Sequence, residues 1–550
     1  MVEKVKNKKN IDTCVISRRD FIAGAGIAPI GAAVRSASGP PNSRSQQASF
    51  LPSRWDRQAD VVVLGFGGSG LVAAITAHDA GAKVLVLEKA PQGGGFTRAS
   101  GCNIANPTNP KDAANYLFAC HGADVSMQIC QATAEEMCKN KEWMDRMGFV
   151  AGTDYTVMMG QGDWKFPGQS SMASIITGAG ASHPGGGTLW WAKLEQQVKK
   201  RGIEVLFNSP ATELIQDRNS KDVLGVWTVN QGKRIAVKAR RAVVLCTGGF
   251  EFNEKMIMNY VRPYPMKFAG PKYNTGDGIA MALKVGAALW HMNSLAAYHC
   301  LWYPEYEVGF NTAFTGRPYS WIITDKYGRR YMNEQRTKSH MCWTEMQKFD
   351  FNGPGFTAVP SYLIFDETKR LAGPIGAGRT YYLPPDCGGV PLWSNDNTEE
   401  IKRSWILKGE TISELAERIR SSKFNDAKMD PAVLEETIAN YNTYCSEGVD
   451  REQGRSKPML GEINKPPYYA TNMWPGCLCT IGGPKRNERC QVVDVDDKPI
   501  PRLFEAGTLG SIFGNVYPTF GGNVGGMVMA HGRIAGKNAA ALSSWDSKTA

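Results

Sequence analysis

Gly65-Phe66-Gly67-Gly68-Ser69-Gly70 sets three glycines at the spacing of a turn that cradles a pyrophosphate. In such a turn Gly65 takes the tight bend and Gly67 lets the main chain reach the phosphates. Gly70 permits a helix to pack closely on a strand. Glu88 follows 23 positions after Gly65, where a carboxylate accepts from a ribose 2′-hydroxyl and repels a 2′-phosphate. A second loop suited to close main-chain approach runs Gln92-Gly93-Gly94-Gly95-Phe96-Thr97-Arg98-Ala99-Ser100-Gly101. Far along the chain, Thr247-Gly248-Gly249-Phe250 ends the apolar run 242–246 in small residues, so that strand can also pass close to a ligand.

The elements that must hold these residues are legible. Asp60-Val61-Val62-Val63-Leu64 is a continuous β-branched run, as expected of a buried parallel strand. Residues 71–80 predict a helix ended by Gly81, and residues 83–87 predict a second strand with Glu88 at its tip. The helix N-terminus supplies free N–H donors and a positive dipole end for phosphate. Strand, turn, helix, strand and acid in this order give a dinucleotide-binding unit.

Length and composition fit that reading. A chain of 550 residues is too long for one core and fits two or three domains. Apolar residues at 42% and charged residues at 21% are globular values, which excludes wholesale disorder. The 13 cysteines are scattered without a CxxC pair, against a zinc ribbon, a ferredoxin-type cluster and a disulfide scaffold. No CxxCH occurs, so a c-type haem site is not expected, and no metal site is expected either.

Residues 1–38 read as an address. Basic residues lead to Ser17-Arg18-Arg19-Asp20-Phe21-Ile22, a Gly/Ala-rich apolar stretch follows to Val34, and small residues close it at 36–39. This predicts twin-arginine export to the periplasm or another extracytoplasmic space, with residues 39–54 as a linker. Seven Lys/Arg and three acids lie in 1–38, so their loss takes the net charge from +11 to about +7. That excess is modest and forms no dense stripe, so nucleic acid is not an expected partner. No apolar run reaches ~18 residues, so a membrane span is not expected.

The chain resembles the fumarate reductase and 3-ketosteroid dehydrogenase family of flavoproteins. The matching pieces are the glycine fingerprint, Thr247-Gly248-Gly249-Phe250, Asn274-Thr275-Gly276-Asp277-Gly278, Gly328-Arg329-Arg330-Tyr331-Met332-Asn333-Glu334, and Ala506-Gly507 with Gly521-Gly522-Asn523. The resemblance implies an α/β fold: a Rossmann-like FAD-binding domain (55–285 and 466–550) interrupted by an α+β substrate or cap domain (286–465). It implies non-covalent FAD held from both ends of the chain. The residues are Gly65, Gly67, Gly68, Ser69, Gly70, Glu88, Lys89, Gly94, Gly95, Ser100, Gly101, Ala211, Thr247, Gly248, Gly249, Asp277, Ala506, Gly507, Gly522, Asn523 and Val524. A helix starting near Asn523 can aim its dipole at the flavin edge where negative charge sits.

The same resemblance frames the chemistry. Fumarate reductases clamp two carboxylates, but the late His position is Cys479 here and the late Arg position is Thr519. The early Thr-Glu pair is Ala313-Phe314, and the catalytic Arg position is Lys338; only His299 and Arg317 match. A dicarboxylate would therefore lack charge compensation. Tyr517-Pro518-Thr519-Phe520-Gly521 instead resembles the ketosteroid dehydrogenase pattern, in which the Tyr hydroxyl and the Gly N–H hold a ketone oxygen. Tyr319, just before the run 321–324, is the first candidate for the proton at the α-carbon, followed by Arg317 and Lys338. The insert carries many Trp and Tyr residues, most expected to be core, and a cap of that kind favours a flat apolar or aromatic substrate. The expected reaction is hydride transfer between flavin and a C=C bond conjugated to a carbonyl; the alternative is reduction of an unsaturated carboxylic acid of the urocanate or cinnamate type. Electrons would pass through a separate quinone-linked or cytochrome partner.

Overall fold

A computed structural model describes residues 51–159, 164–178, 186–268, 270–309, 312, 316–338, 340–376, 393–514, 516–517 and 523–547. Strand β1 (Arg57–Leu64), helix α1 (Gly68–Asp79) and strand β2 (Val84–Leu87) form the expected opening unit. Val61, Val62 and Val63 are wholly buried because β1 lies between parallel neighbours, β2 on one side and Lys233–Leu245 on the other. The parallel set is completed by Glu204–Leu206 beyond β2 and Pro499–Glu505 beyond Lys233–Leu245. Strand Gln491–Val493 closes that edge antiparallel, and Ala211–Gln216 and Val223–Asn230 add an antiparallel meander.

The C-terminal helix Asn523–Ala541 packs on α1 through glycines. A Cβ on Gly532 would lie 2.9 Å from Val72 Cβ, and one on Gly536 would lie 2.5 Å from the Ala73 carbonyl oxygen. Two small residues one turn apart thus let the two backbones approach and join the ends of the chain.

The second sheet belongs to the cap. Its spine is the 13-residue strand Tyr468–Thr480, buried from Tyr469 onward. That strand pairs antiparallel with Ser361–Asp366, Leu295–Cys300 and Leu407–Gly409, and parallel with Lys267–Phe268; Trp321–Thr324 pairs onto Ser361–Asp366. The sheet therefore draws strands from outside 286–465 at both ends. Helices Ile412–Arg420 and Pro431–Glu447 cover one face through Leu415, Ile419, Leu434, Ile438 and Tyr441. Both start as the sequence dictates: Thr411 caps with its side chain accepting from Glu414 N–H, and Asp430 precedes Pro431. Among the insert aromatics, Trp290, Tyr298, Tyr303, Trp321, Trp343, Trp393 and Trp405 are core residues, while Tyr381 and Tyr382 lie outside the described residues.

Buried charge ties the cap together. The Arg330 guanidinium bonds both oxygens of Glu334 and of Asp450, at 2.7 to 3.1 Å, with all three side chains fully buried. The bidentate geometry compensates the desolvation such a cluster suffers.

Candidate active site

A cleft opens at the C-terminal ends of β1 and β2, where the glycine turn meets the loop after Glu88. Gly65, Gly67, Gly68, Ser69, Glu88, Lys89, Gly95, Ala211, Thr247, Gly248 and Asp277 line it, as the sequence implies. Its lining runs from the glycine turn along Glu88 and Lys89 to Asn274 and Asp277, an elongated path that a dinucleotide can follow.

The three fingerprint glycines have separate reasons. Gly65 has φ +99°, and a Cβ there would meet the Cys246 carbonyl oxygen at 2.4 Å. A Cβ on Gly70 would lie 1.9 Å from the Gly65 carbonyl oxygen, so Gly70 holds helix against strand. Gly67 differs: the nearest heavy atom to its Cβ position is 3.8 Å away, so the protein itself leaves that face free. Gly67 has no side chain to cap helix α1, and although Gly68 N–H donates to Thr97, the next N–H groups of the first turn are left for a phosphate. The Thr247 hydroxyl, also on the lining, is buried without a hydrogen-bond partner.

Glu88 is buried at the tip of β2. One carboxylate oxygen accepts from Phe66 N–H at 2.7 Å and the other from Ala90 N–H at 2.8 Å. Burial pushes its pKa up, against these hydrogen bonds and the Lys89 charge. Each oxygen keeps a further lone-pair site for a ribose hydroxyl. Lys89 pairs with Asp277 at 2.7 Å and donates to Thr275 at 2.6 Å, which fixes the cleft's far wall.

Other expected residues buttress the cleft instead of lining it. Gly94 (φ +119°) packs on Arg98, and the Ser100 hydroxyl donates to the Thr97 carbonyl. Gly101 follows in the same loop, outside the lining. Gly249 abuts Thr480, Ala506 N–H donates to the Leu245 carbonyl, and Gly507 abuts Ser69. Gly521 and Gly522 lie outside the described residues, and Asn523 and Val524 open the C-terminal helix with side chains also outside them. Sequence reasoning did not single out Phe96, Thr97, Tyr273 or Asn274 as lining residues, although they sit in or beside the segments it marked. Thr97 accepts from Gly68 N–H at 3.0 Å, a contact no spacing rule announces.

The open face of Gly67, the uncapped helix end and the unpartnered Thr247 hydroxyl fit the pyrophosphate and ribose of a dinucleotide. A family model described as the FAD binding domain matches residues 60–524, most of the chain. The chain belongs to this FAD-binding family. It binds FAD non-covalently.

Curated relatives agree over most of the chain. A 3-oxosteroid 1-dehydrogenase of Mycolicibacterium smegmatis is 28% identical over 89% of this chain and 98% of its own length. A urocanate reductase of Eggerthella lenta is 29% identical over 91% of this chain and 77% of its own. An NADH:fumarate oxidoreductase of Klebsiella pneumoniae is 26% identical over 88% of this chain, which spans only 47% of that relative. The fold matches the crystal structure of a 3-ketosteroid Δ1-dehydrogenase from Sterolibacterium denitrificans. That match has TM-score 0.73, 23% identity, 88% of this chain and 100% of that one.

Two of the expected substrate residues, Tyr517 and Tyr319, lie in or against one large apolar cluster. Tyr517 is buried in it, its ring 4.8 Å from His340 and 5.4 Å from Phe513. The Trp164 indole N–H donates to the Tyr517 carbonyl at 2.8 Å and pins the backbone there. Tyr319 packs half-buried against the same cluster, with the Arg317 and Arg455 guanidiniums 5.8 and 5.7 Å from its ring. Arg317 is exposed. Lys338 ends the short helix Glu334–Lys338, and its side chain is outside the described set. His299 is buried, shares a 2.8 Å hydrogen bond with the Tyr331 hydroxyl, and has its pKa lowered to about 4 by burial, so it is neutral at pH 7. Cys479 is buried and its thiol is pushed up by burial, hence also neutral. His340, one of seven histidines, was not marked from sequence; burial lowers it to about 4.

Proposed function

We propose that this protein transfers hydride between FAD and a C=C bond conjugated to a ketone, on a flat, largely apolar substrate of the ketosteroid kind. The observation that carries this reading is the burial of Tyr517 in an apolar aromatic cluster, beside Phe513 and His340. Burial disfavours charge on both His299 and Cys479, so neither position offers a fixed cation to a small dicarboxylate. A ketone needs only hydrogen-bond donors. Tyr517 sits in an apolar wall with its backbone pinned, which suits a phenol that polarises a carbonyl oxygen as enolate charge develops. Gly521 N–H is the second donor in this proposal.

Bound FAD supplies the hydride or accepts it. The chain's own residues must place the β-carbon over the flavin, exclude water and move one proton at the α-carbon. Tyr319 is the proposed proton carrier, with Arg317 and Lys338 as its rivals. The likeness to 3-oxosteroid 1-dehydrogenases over nearly their whole length supports the ketone reading. A second reading, an unsaturated carboxylic acid, draws support from the two guanidiniums within 6 Å of the Tyr319 ring and from the urocanate reductase relative.

The proposal includes a separate electron donor or acceptor and export through the twin-arginine route; Arg18 and Arg19 lie outside the described residues. Among the described residues no helix is long and apolar enough to cross a membrane. The test is a panel of steroid enones, urocanate, cinnamates and fumarate with both electron donors and acceptors. Turnover of fumarate at a rate comparable with the best enone overturns the substrate reading while leaving the flavin assignment intact.

A further inference from the structure

The hairpin 348–357 presents apolar side chains to solvent with no fold-level reason. Phe351 is 92% exposed and Phe349 is 49% exposed. Their rings meet edge to face at 5.5 Å, and Phe356 stands behind Phe349 at 6.2 Å, so the aromatic group is preassembled.

The hairpin is held firmly. Asp350 N–H donates to the Gly355 carbonyl at 2.9 Å, and Thr357 N–H donates to the Lys348 carbonyl at 3.0 Å. The buried Asp350 carboxylate pairs with Lys326 at 2.7 Å and accepts from the Tyr327 hydroxyl at 2.8 Å. Lys326 N–H donates to the Thr357 carbonyl at 3.1 Å. A rigid turn with an exposed Phe near its tip does not need to order itself on docking.

Lys348, Lys255 and Arg262 are exposed around the hairpin; of the nearby acids, Glu254 accepts from the Tyr264 hydroxyl and Glu345 pairs with Arg336. Lys348 is exposed next to Phe349. Gln347 donates to the Arg262 carbonyl at 3.2 Å, which sets the hairpin beside the helix Glu254–Tyr260, where Met258 is 50% and Tyr260 39% exposed. Among the described residues, the Arg262 guanidinium donates to the main-chain carbonyls of Met258 and Val261. The one carboxylate of the hairpin, Asp350, is buried and already neutralised by Lys326.

We infer that this hairpin and the adjoining helix form a docking face for an anionic lipid surface. Phe349 and Phe351 would enter the interfacial region while Lys348 and Arg262 meet lipid phosphates. A projecting turn suits a lipid interface better than a protein pocket, because a bilayer moulds around a tip and needs no matching cavity. With no crossing helix among the described residues, such a face would be peripheral and reversible. It lies outside the proposed chemistry and stands whether or not the substrate reading holds.

The experiment is co-sedimentation of the FAD-loaded full chain with phosphatidylglycerol vesicles and with phosphatidylcholine vesicles, at low and high salt. Binding to the anionic vesicles is expected, falling about tenfold between 50 and 500 mM salt. Phe349→Ser/Phe351→Ser is expected to lower it about tenfold or more, and Lys348→Glu severalfold, with dye-linked turnover and flavin content unchanged. Equal binding to both vesicle types, no binding to either, or full binding by the Phe variant overturns the inference. Loss of turnover with an acidic electron-donor protein, with vesicle binding unaffected, would mark the face as a protein dock and also overturn it.

Discussion

At the scale of single residues, Gly67 and Gly70 separate two roles that the fingerprint merges. Gly67→Ala puts its methyl into open space on the protein's own account, so the apoprotein should melt within about 2 °C of the parent. The methyl then occupies the phosphate's approach, and FAD affinity should fall about tenfold or more. Gly70→Ala drives a methyl into the Gly65 carbonyl and should destabilise the apoprotein itself by about 3 kcal/mol. Thermal melts of the two apoproteins with flavin titration check both; identical behaviour would contradict the assignment. Tyr517→Phe should lower turnover of a ketone substrate about 100-fold with flavin content unchanged, as for removal of one oxyanion donor. Steady-state rates on a steroid enone decide this, and an unchanged rate removes Tyr517 from the carbonyl site. These roles were legible because glycine spacing and the acid at the strand tip are local signals. His340 beside Tyr517 was not, because nothing local links positions 177 residues apart.

Among the elements, the opening β1-α1-β2 unit could be read directly and the cap sheet could not. Its spine, Tyr468–Thr480, comes after the insert's expected end at 465 and gathers partners from as far back as Lys267. Strand pairing at such separation leaves no periodic trace in sequence. Side chains also tie this spine to the FAD domain. Glu251 accepts from Thr480 N–H at 2.8 Å, and Phe250 N–H donates to the Thr480 hydroxyl at 2.8 Å. Burial raises the Glu251 carboxyl to about 7, against its hydrogen bonds. A carboxyl raised in the folded state binds its proton more tightly there than in the unfolded chain. Its contribution is therefore fully present below pH about 4.5 and lost as pH rises towards 7, by roughly 3 kcal/mol. Glu251→Gln keeps an acceptor for Thr480 and should flatten the fall in melting temperature between pH 5 and 7. An unaltered pH profile would show that Glu251 does not titrate in this range.

For the molecule as a whole, the proposed export route can be tested through the cofactor. All eleven described cysteines are free, and most are buried. The proposed twin-arginine route would carry the chain across already folded around its FAD. Arg18→Lys/Arg19→Lys should leave the flavin-loaded precursor inside the cell, readable by fractionation; normal export of the double variant would refute the twin-arginine route. The central claim is that the folded site exchanges hydride with an electron-poor C=C bond beside a ketone. Its most direct measurement is anaerobic. The FAD-loaded protein is bleached at 450 nm with one equivalent of dithionite and mixed with a steroid enone, a steroid dienone or fumarate. The account predicts that the yellow colour returns with the enone or dienone acceptor and at most slowly with fumarate. Rapid return with fumarate, or no return with any ketone-conjugated C=C bond, would contradict it.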